Sequence, residues 1–281
     1  MRNSFYGWYM KCQSDSQMLA FIPAVHQTDR NRTASIQLIT DSGSWTIPYS
    51  ADDCSRHGKN ITIEKNSFGK SGISLAIHTP DLKAYGNLSF SSLCPLKYDI
   101  MGPFALVPFM ECRHRVISMK HNICGTVNIN GHEYVFDNGT GYWEGDHGKS
   151  FPTEYAWTQC CFPGGSLMLS VADIPFTGLS FTGIICSILW KGHEYRLATY
   201  LGARLTQLHD GVIKVVQGKL ELEVKLLESA GHPLKAPSNG DMIRTIHENL
   251  SCRASYCFKR KGRVLFSFDT DQASFEYEYN R

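Results

Sequence analysis

The chain has 281 residues, enough to bury one large core or two ordinary ones. Hydrophobic residues at 42 % against charged residues at 19 % exclude a disordered chain, and 24 glycines without a triplet repeat exclude a collagen-like one. Twenty-eight basic and 26 acidic residues leave a formal charge of +2, which provides no electrostatic footprint for nucleic acid or an anionic membrane.

Taken in chain order, the first eleven residues, MRNSFYGWYMK, have no apolar stretch and no small-residue cleavage site. The ten cysteines are spread along the whole chain. Both features point to a cytoplasmic protein with reduced thiols, in which the N-x-S/T triplets carry no glycosylation signal. Short apolar or alternating runs then predict strands over 7–11, 18–25, 35–40, 61–64, 71–78, 85–90, 115–119, 125–129 and 133–137. Asn130-Gly131 between two such runs is a type I′ hairpin signal. Further strands are predicted over 156–162, 166–171, 182–190, 194–200, 212–216, 219–227, 253–259 and 264–269. The uncharged stretch 174–190 contains Pro175, glycines and hydroxyl residues, so it reads as two sheet strands and no transmembrane helix is expected. One segment breaks the β rhythm. Ser238 to Asp241 is an S-x-x-D start signal, and Met242, Ile243, Ile246 and Leu250 follow at helical spacing, predicting one short helix.

The expected fold is all-β, with two antiparallel barrel or sandwich domains spanning residues 1–150 and 151–281. An internal echo supports the division: Trp8 with MLAFIP at 18–23 matches Trp157 with MLSVADIP at 168–175. A second echo, ICGTVNINGHEY at 123–134 and ICSILWKGHEY at 185–195, has a different offset and admits a reading as common hairpin chemistry.

The chemistry-bearing residues concentrate where the two halves meet. Tyr142, Trp143, Glu144, Asp146 and His147 lie in one run, and strand alternation puts Tyr155, Trp157, Gln159 and Cys161 on one face of the next strand. A carboxylic acid against an aromatic wall acquires a raised pKa and serves as a proton donor, while the ring faces stabilise a developing cation. Asp146 is the first candidate for the acid, with Glu144 beside it and His147 or Tyr9 as base. Trp8, Tyr142, Trp143, Trp157 and Gln159 are candidate substrate-binding residues. The same run also reads as a structured turn whose carboxylates satisfy backbone N–H groups and whose rings are core. Cys112, His114, His121 and Cys124 form a C-x-H, H-x2-C set, but nothing in the sequence brings its halves together, and no metal site is assigned.

Two long, irregular stretches go beyond composition: DIMGPFALVPFMECRHRVISMKH at 99–121 and GYWEGDHGKSFPTEYAWTQCCF at 141–162. With the opening FYGWYMK and the late KAPSNGDM, they resemble the tocopherol cyclase-like family along nearly the whole chain. The chain departs from that pattern at His147, where Trp is usual, and at Cys161, where Asn is usual. The resemblance implies paired lipocalin-like β-barrels, a fold shared with AttH-like, carotenoid hydratase-like and some cycloaddition-catalysing proteins. It also implies ring closure or isomerisation of a prenylated or polyene substrate with no cofactor. A carrier or sensor of an apolar ligand, and a structural module whose aromatics fill two cores, are the alternatives.

Overall fold

The computed structural model describes residues 3–107, 110–176, 179–228 and 231–279. Pro108 and Phe109 of the first resemblance stretch, and Thr177 and Gly178 of the uncharged stretch, lie outside them. The described chain is almost entirely strand. The first sheet runs through β1 (Ser4–Gln13), β2 (Met18–Gln27), β3 (Arg32–Thr40), β4 (Gly43–Ser50), β5 (Cys54–His57), β6 (Asn60–Ile63), β7 (Asn66–Gly69), β8 (Gly72–His78), β9 (Lys83–Phe90), β10 (Cys112–Ile129) and β11 (His132–Gly148). Its order is β4-β3-β2-β1-β11-β10-β9-β8-β7-β6-β5. The second contains β12 (Tyr155–Phe162), β13 (Gly165–Phe176), β14 (Leu179–Trp190), β15 (His193–Ala198), β16 (Arg204–His209), β17 (Val212–Gln217), β18 (Leu220–Glu228), β19 (His232–Ser238), β20 (Asp241–Arg260) and β21 (Arg263–Tyr277). Its order is β15-β14-β13-β12-β21-β20-β18-β17-β16, with β19 paired to β20.

The two orders are the same device used twice: the first strand of each sheet lies between the second and the last. The echo of Trp8 and Trp157 falls on these equivalent first strands, and MLAFIP and MLSVADIP fall on the equivalent second strands, β2 and β13. The GHEY echo joins β10 to β11 in one sheet and β14 to β15 in the other, which are not equivalent positions. Both of those turns place two residues at positive φ, Asn130-Gly131 and Lys191-Gly192, so their likeness is hairpin chemistry.

The chain divides into two compact units. One holds the residues up to Leu96, His114–Ser150 and Leu234–Arg244; the other holds Lys97–Arg113, Phe151–Pro233 and the residues from Thr245 on. In the first unit a single apolar cluster draws on Trp8, Leu19, Ile36, Ile47, Ile61, Phe68, Ile73, Leu88, Val127 and Trp143. Edge and central strands contribute to the same core, so the sheet curls around it. The second unit builds its own core from Cys160, Leu169, Cys186, Leu197, Val215, Val224, Tyr256 and Phe275. Ordinary strands bury one face: in β8, Ile73, Leu75 and Ile77 are buried while Ala76 and His78 are exposed. The centre of each sheet differs, because every residue of β12 is buried and most of β1 is too. All ten cysteines are thiols.

No helix forms over 238–250. Asn239 (φ 52°) and Gly240 (φ 88°) make a two-residue turn from β19 into β20, and Ile246, Glu248 and Leu250 are buried while Thr245 and His247 are exposed. That is the strand period. The apparent helical spacing depends on Ile243, which is 70 % exposed. The Leu234–Arg244 segment is bound into the first unit by the Gln37 amide. Its Nε2 donates to the Lys235 carbonyl (2.9 Å) and its Oε1 accepts from the Lys235 N–H (3.0 Å), as a backbone peptide would.

One irregularity positions the site. Tyr134 and Phe136 of β11 enter the same core as Trp143, although odd and even positions of a regular strand point oppositely. Asn138, at φ 60°, inserts the extra residue of a bulge and switches the parity. A β-branched residue there is strained, so Asn138→Val is expected to lower unfolding free energy by about 2 kcal/mol, with Asn138→Gly nearly neutral. Equal urea midpoints for the two variants would count against the bulge.

Candidate functional site

Beyond the bulge, alternation sends Trp143, Gly145 and His147 to the inner face of β11 and Tyr142, Glu144 and Asp146 to the outer. On β1, Tyr9 pairs with Glu144 and Lys11 with Tyr142, joining the outer set; Trp8 pairs with Gly145, joining the inner. A Cβ on Gly145 would meet Trp8 Cδ1 at 2.7 Å, so glycine leaves the indole its space. Strand geometry thus divides the candidates that the linear run places together.

The inner group is an aromatic arrangement. Trp8 and Trp143 meet edge to face at 5.0 Å, Trp8 Nε1 donates to the Tyr6 hydroxyl (2.7 Å), and the Arg56 guanidinium lies 3.7 Å from the Tyr6 ring centre. His147 is exposed, 6.4 Å from the Tyr6 ring.

The outer group is an acid/base cluster completed by His114 of β10. Its Nδ1 lies 3.0 Å from Asp146 Oδ1, and its Nε2 lies 3.1 Å from Glu144 Oε2, off the line of a good hydrogen bond. The Tyr142 hydroxyl donates to Glu144 Oε2 at 2.5 Å. Glu144 is 4 % exposed and Tyr142 1 %. Burial opposes a charge on His114, but the Glu144 and Asp146 carboxylates overcome it and hold the imidazole well above its ordinary pKa. The surroundings thus favour the charged imidazolium form of His114, with a carboxylate oxygen close to each ring nitrogen. The three donor groups lie within 4.8 Å of one another, near enough for one ion. Yet the two ring nitrogens address different carboxylates, which is the geometry of a held proton carrier.

His114 enters the sequence reading only as half of a thiol–imidazole set, and that set does not assemble. His121 Nδ1 is 3.0 Å from the Ser118 hydroxyl and its ring is 4.4 Å from Phe90, while Cys124 is exposed. Lys11, 1 % exposed and opposite Tyr142, is a second residue of this face that no motif announces. Trp157 and Gln159 belong to the second unit, on the face of β12 opposite its core. There Trp157 pairs with Glu276, whose carboxylate accepts a hydrogen bond from the Tyr155 hydroxyl.

An all-β chain with two curled antiparallel sheets, each placing its first strand beside its last, belongs to the lipocalin-like class of folds. Solved structures of that architecture align over nearly the whole chain. CghA crystallised with Sch210972 matches with a TM-score of 0.65 at 10 % identity, covering 98 % of this chain and 88 % of that one. CghA without it matches with a TM-score of 0.64 at 9 % identity, covering 99 % and 90 %. An AttH-like protein of Nitrosomonas europaea matches with a TM-score of 0.56 at 10 % identity, covering 99 % and 93 %. No family model matches the chain, and no curated protein matches it in sequence.

Proposed function

We propose that the chain is a cofactor-independent acid/base catalyst that cyclises or isomerises a hydrophobic small molecule of prenylated or polyene type. The observation that carries this reading is the His114 imidazole, 11 % exposed, held between Glu144 and Asp146, with Tyr142 donating to Glu144. A ring closure or double-bond shift that yields an isomer takes one proton and returns one. His114 donates a proton to a substrate oxygen as negative charge develops there. The Glu144 or Asp146 carboxylate accepts a proton from a substrate hydroxyl or an acidified C–H. An imidazolium held above its ordinary pKa is a weak acid, suited to a developing enolate or phenolate and poorly suited to protonating an unactivated alkene carbon. The substrate class therefore includes a polarised carbonyl or hydroxyl group on the apolar skeleton. The likeness to CghA, whose structure holds Sch210972, supports a small-molecule role for this fold.

The test begins with denaturing extraction of purified protein and mass spectrometry of whatever hydrophobic compound co-purifies, followed by incubation with prenylated quinols and polyenes. Asp146→Asn and His114→Asn are expected to keep ligand binding and lose isomer formation by about a hundredfold or more. A bound compound that emerges unchanged from both the native protein and the variants identifies a carrier instead.

A further inference from the structure

Three asparagines of the chain are followed by glycine, and the structure restrains them differently. Asn-Gly is the dipeptide most prone to a spontaneous reaction in which the main-chain nitrogen of the second residue attacks the side chain of the first, because glycine has no Cβ to obstruct the approach. Asn130, Asn138 and Asn239 are all exposed and all at positive φ, so neither exposure nor backbone conformation separates them. Their hydrogen bonds do.

At the β10–β11 hairpin both reacting groups are committed. Asn130 Oδ1 accepts from the Lys83 N–H (2.8 Å), its Nδ2 donates to the Asp81 carbonyl (3.4 Å), and the Gly131 N–H donates to Asn128 Oδ1 (2.9 Å). At the β19–β20 turn the attacking nitrogen is held. The Gly240 N–H donates to the Lys149 carbonyl (2.7 Å), and the Asn239 N–H donates to the Ser150 hydroxyl (2.8 Å). The side-chain amide of Asn138, by contrast, makes no hydrogen bond among the described residues, and it stands at the extra residue of a bulge, where the ladder is interrupted.

We propose that Asn138 is a site of spontaneous deamidation to isoaspartate. The Gly139 nitrogen bonds to Asn138 Cγ and gives up its proton, the Cγ–Nδ2 bond breaks, and ammonia leaves with that proton, closing a cyclic imide. Water then adds to one of the two imide carbonyls. Opening at one restores the ordinary main chain with aspartate in place of asparagine; opening at the other runs the chain through Cγ and gives isoaspartate. The net change is one water taken up and one ammonia released, with no oxidant or reductant. Isoaspartate adds one carbon to the main chain at the residue whose insertion decides which face Tyr142, Glu144 and Asp146 occupy, so the modification falls on the register of β11 itself. The assignment rests on the bulge and not on the reaction proposed for the His114 cluster.

The experiment is ageing of the full chain in mildly alkaline buffer, with peptide mapping by mass spectrometry and enzymatic methylation of isoaspartate as readouts. It is run on the native chain, folded and in urea, and on folded Asn138→Gly. In urea the three dipeptides are expected to react at similar rates. In the folded chain Asn138 should react faster than Asn130 and Asn239 by about fivefold or more, the factor that one restraining hydrogen bond is worth. The urea midpoint of the native chain should fall as the product accumulates, while that of Asn138→Gly, aged alike, should not. Isoaspartate arising first at Asn130 or Asn239 overturns the assignment, as does none at Asn138 in the folded chain over a period in which the unfolded chain is converted. A midpoint that stays constant as Asn138 is converted overturns the effect on β11.

Discussion

His114→Leu is expected to lower the stability of the protein at neutral pH by about 3 kcal/mol, because it removes one partner of a buried ion pair and leaves the others behind. The geometry sets the sign. The side chains of Glu144 and Asp146 are 5 % and 19 % exposed, and His114 places a ring nitrogen within 3.1 Å of each. Leucine preserves bulk but supplies no charge, so two carboxylates close together must take up a proton or draw in water. The pH dependence makes the test specific. The folded-state pKa of His114 lies above the unfolded value, so its stabilising contribution is complete below the ordinary imidazole range. It is lost as pH rises through the folded pKa. The gap between native and variant stability, measured by urea unfolding, should therefore be widest just below pH 6.5 and shrink steadily as pH rises towards the alkaline range. His26 and His121 act in a separate window. Burial lowers each to about 4, so the stability they contribute as neutral rings is present above pH 6.5 and lost as pH falls towards 4. A native-minus-variant difference that stays constant across the alkaline range would remove His114 from the role of charged partner.

How much of this was readable beforehand is best seen in the three Asn-Gly dipeptides, at 130–131, 138–139 and 239–240. The first, between two clear strand patterns, announces its hairpin. The third is the same turn, with both residues at positive φ, but Ser238 and Asp241 flank it and imitate a helix cap. Local chemistry alone does not separate the two, because a cap and a type I′ turn use overlapping residue types. The second is not a turn at all. Asn138 adopts positive φ inside a 17-residue strand and produces a bulge that only the partner strands specify.

That bulge explains why Asp146 and Glu144 were legible as candidates whereas His114 was not. A straight ladder carried back from the Asn130-Gly131 turn sets Ile129 opposite His132, and hence His114 opposite His147. Irregular pairing brings it instead to Glu144 and Asp146, on the outer face. A shift of one residue reverses every side chain, so face assignment 15 residues from a turn depends on each bulge between. The run Tyr142–His147 suffers from the same period: residues adjacent in sequence belong to opposite faces, and the tight cluster of rings and carboxylates seen in one dimension becomes two groups. The β12 alternation, by contrast, contains no bulge, and Gln159 falls on the face expected of it.

The largest structural effect outside the His114 cluster is expected at Arg196. Its guanidinium lies 3.6 Å from the Tyr98 ring centre, donates to the Asp99 carbonyl at 2.7 Å and to the Tyr98 carbonyl at 2.9 Å, and pairs with Glu194 at 2.9 Å. Glu194 in turn accepts from the Lys97 N–H, and Tyr200 donates to the Ile100 carbonyl. One planar cation thus holds residues 97–100 against β15 and the turn Thr199–Leu201 that follows it. Arg196→Ala removes all of these contacts and leaves a carboxylate that is only 9 % exposed without its charge partner, which costs about 4 kcal/mol, a fall in melting temperature on the order of 10 °C. Lysine restores the charge but not the fork or the stacking plane, so Arg196→Lys should recover only a minor part. Hydrogen exchange separates clamp from core. The amides of Gly102, Phe104 and Val107, which bond within the 99–107 segment, should exchange faster in the alanine variant, while those of β13 and β14 keep their order of protection. Uniform loss of protection in all of them would mean that Arg196 supports the whole sheet. No change at Gly102, Phe104 and Val107 would mean that the segment is held by its aromatic packing, Phe104 against Tyr200 and Phe181, without help from the guanidinium.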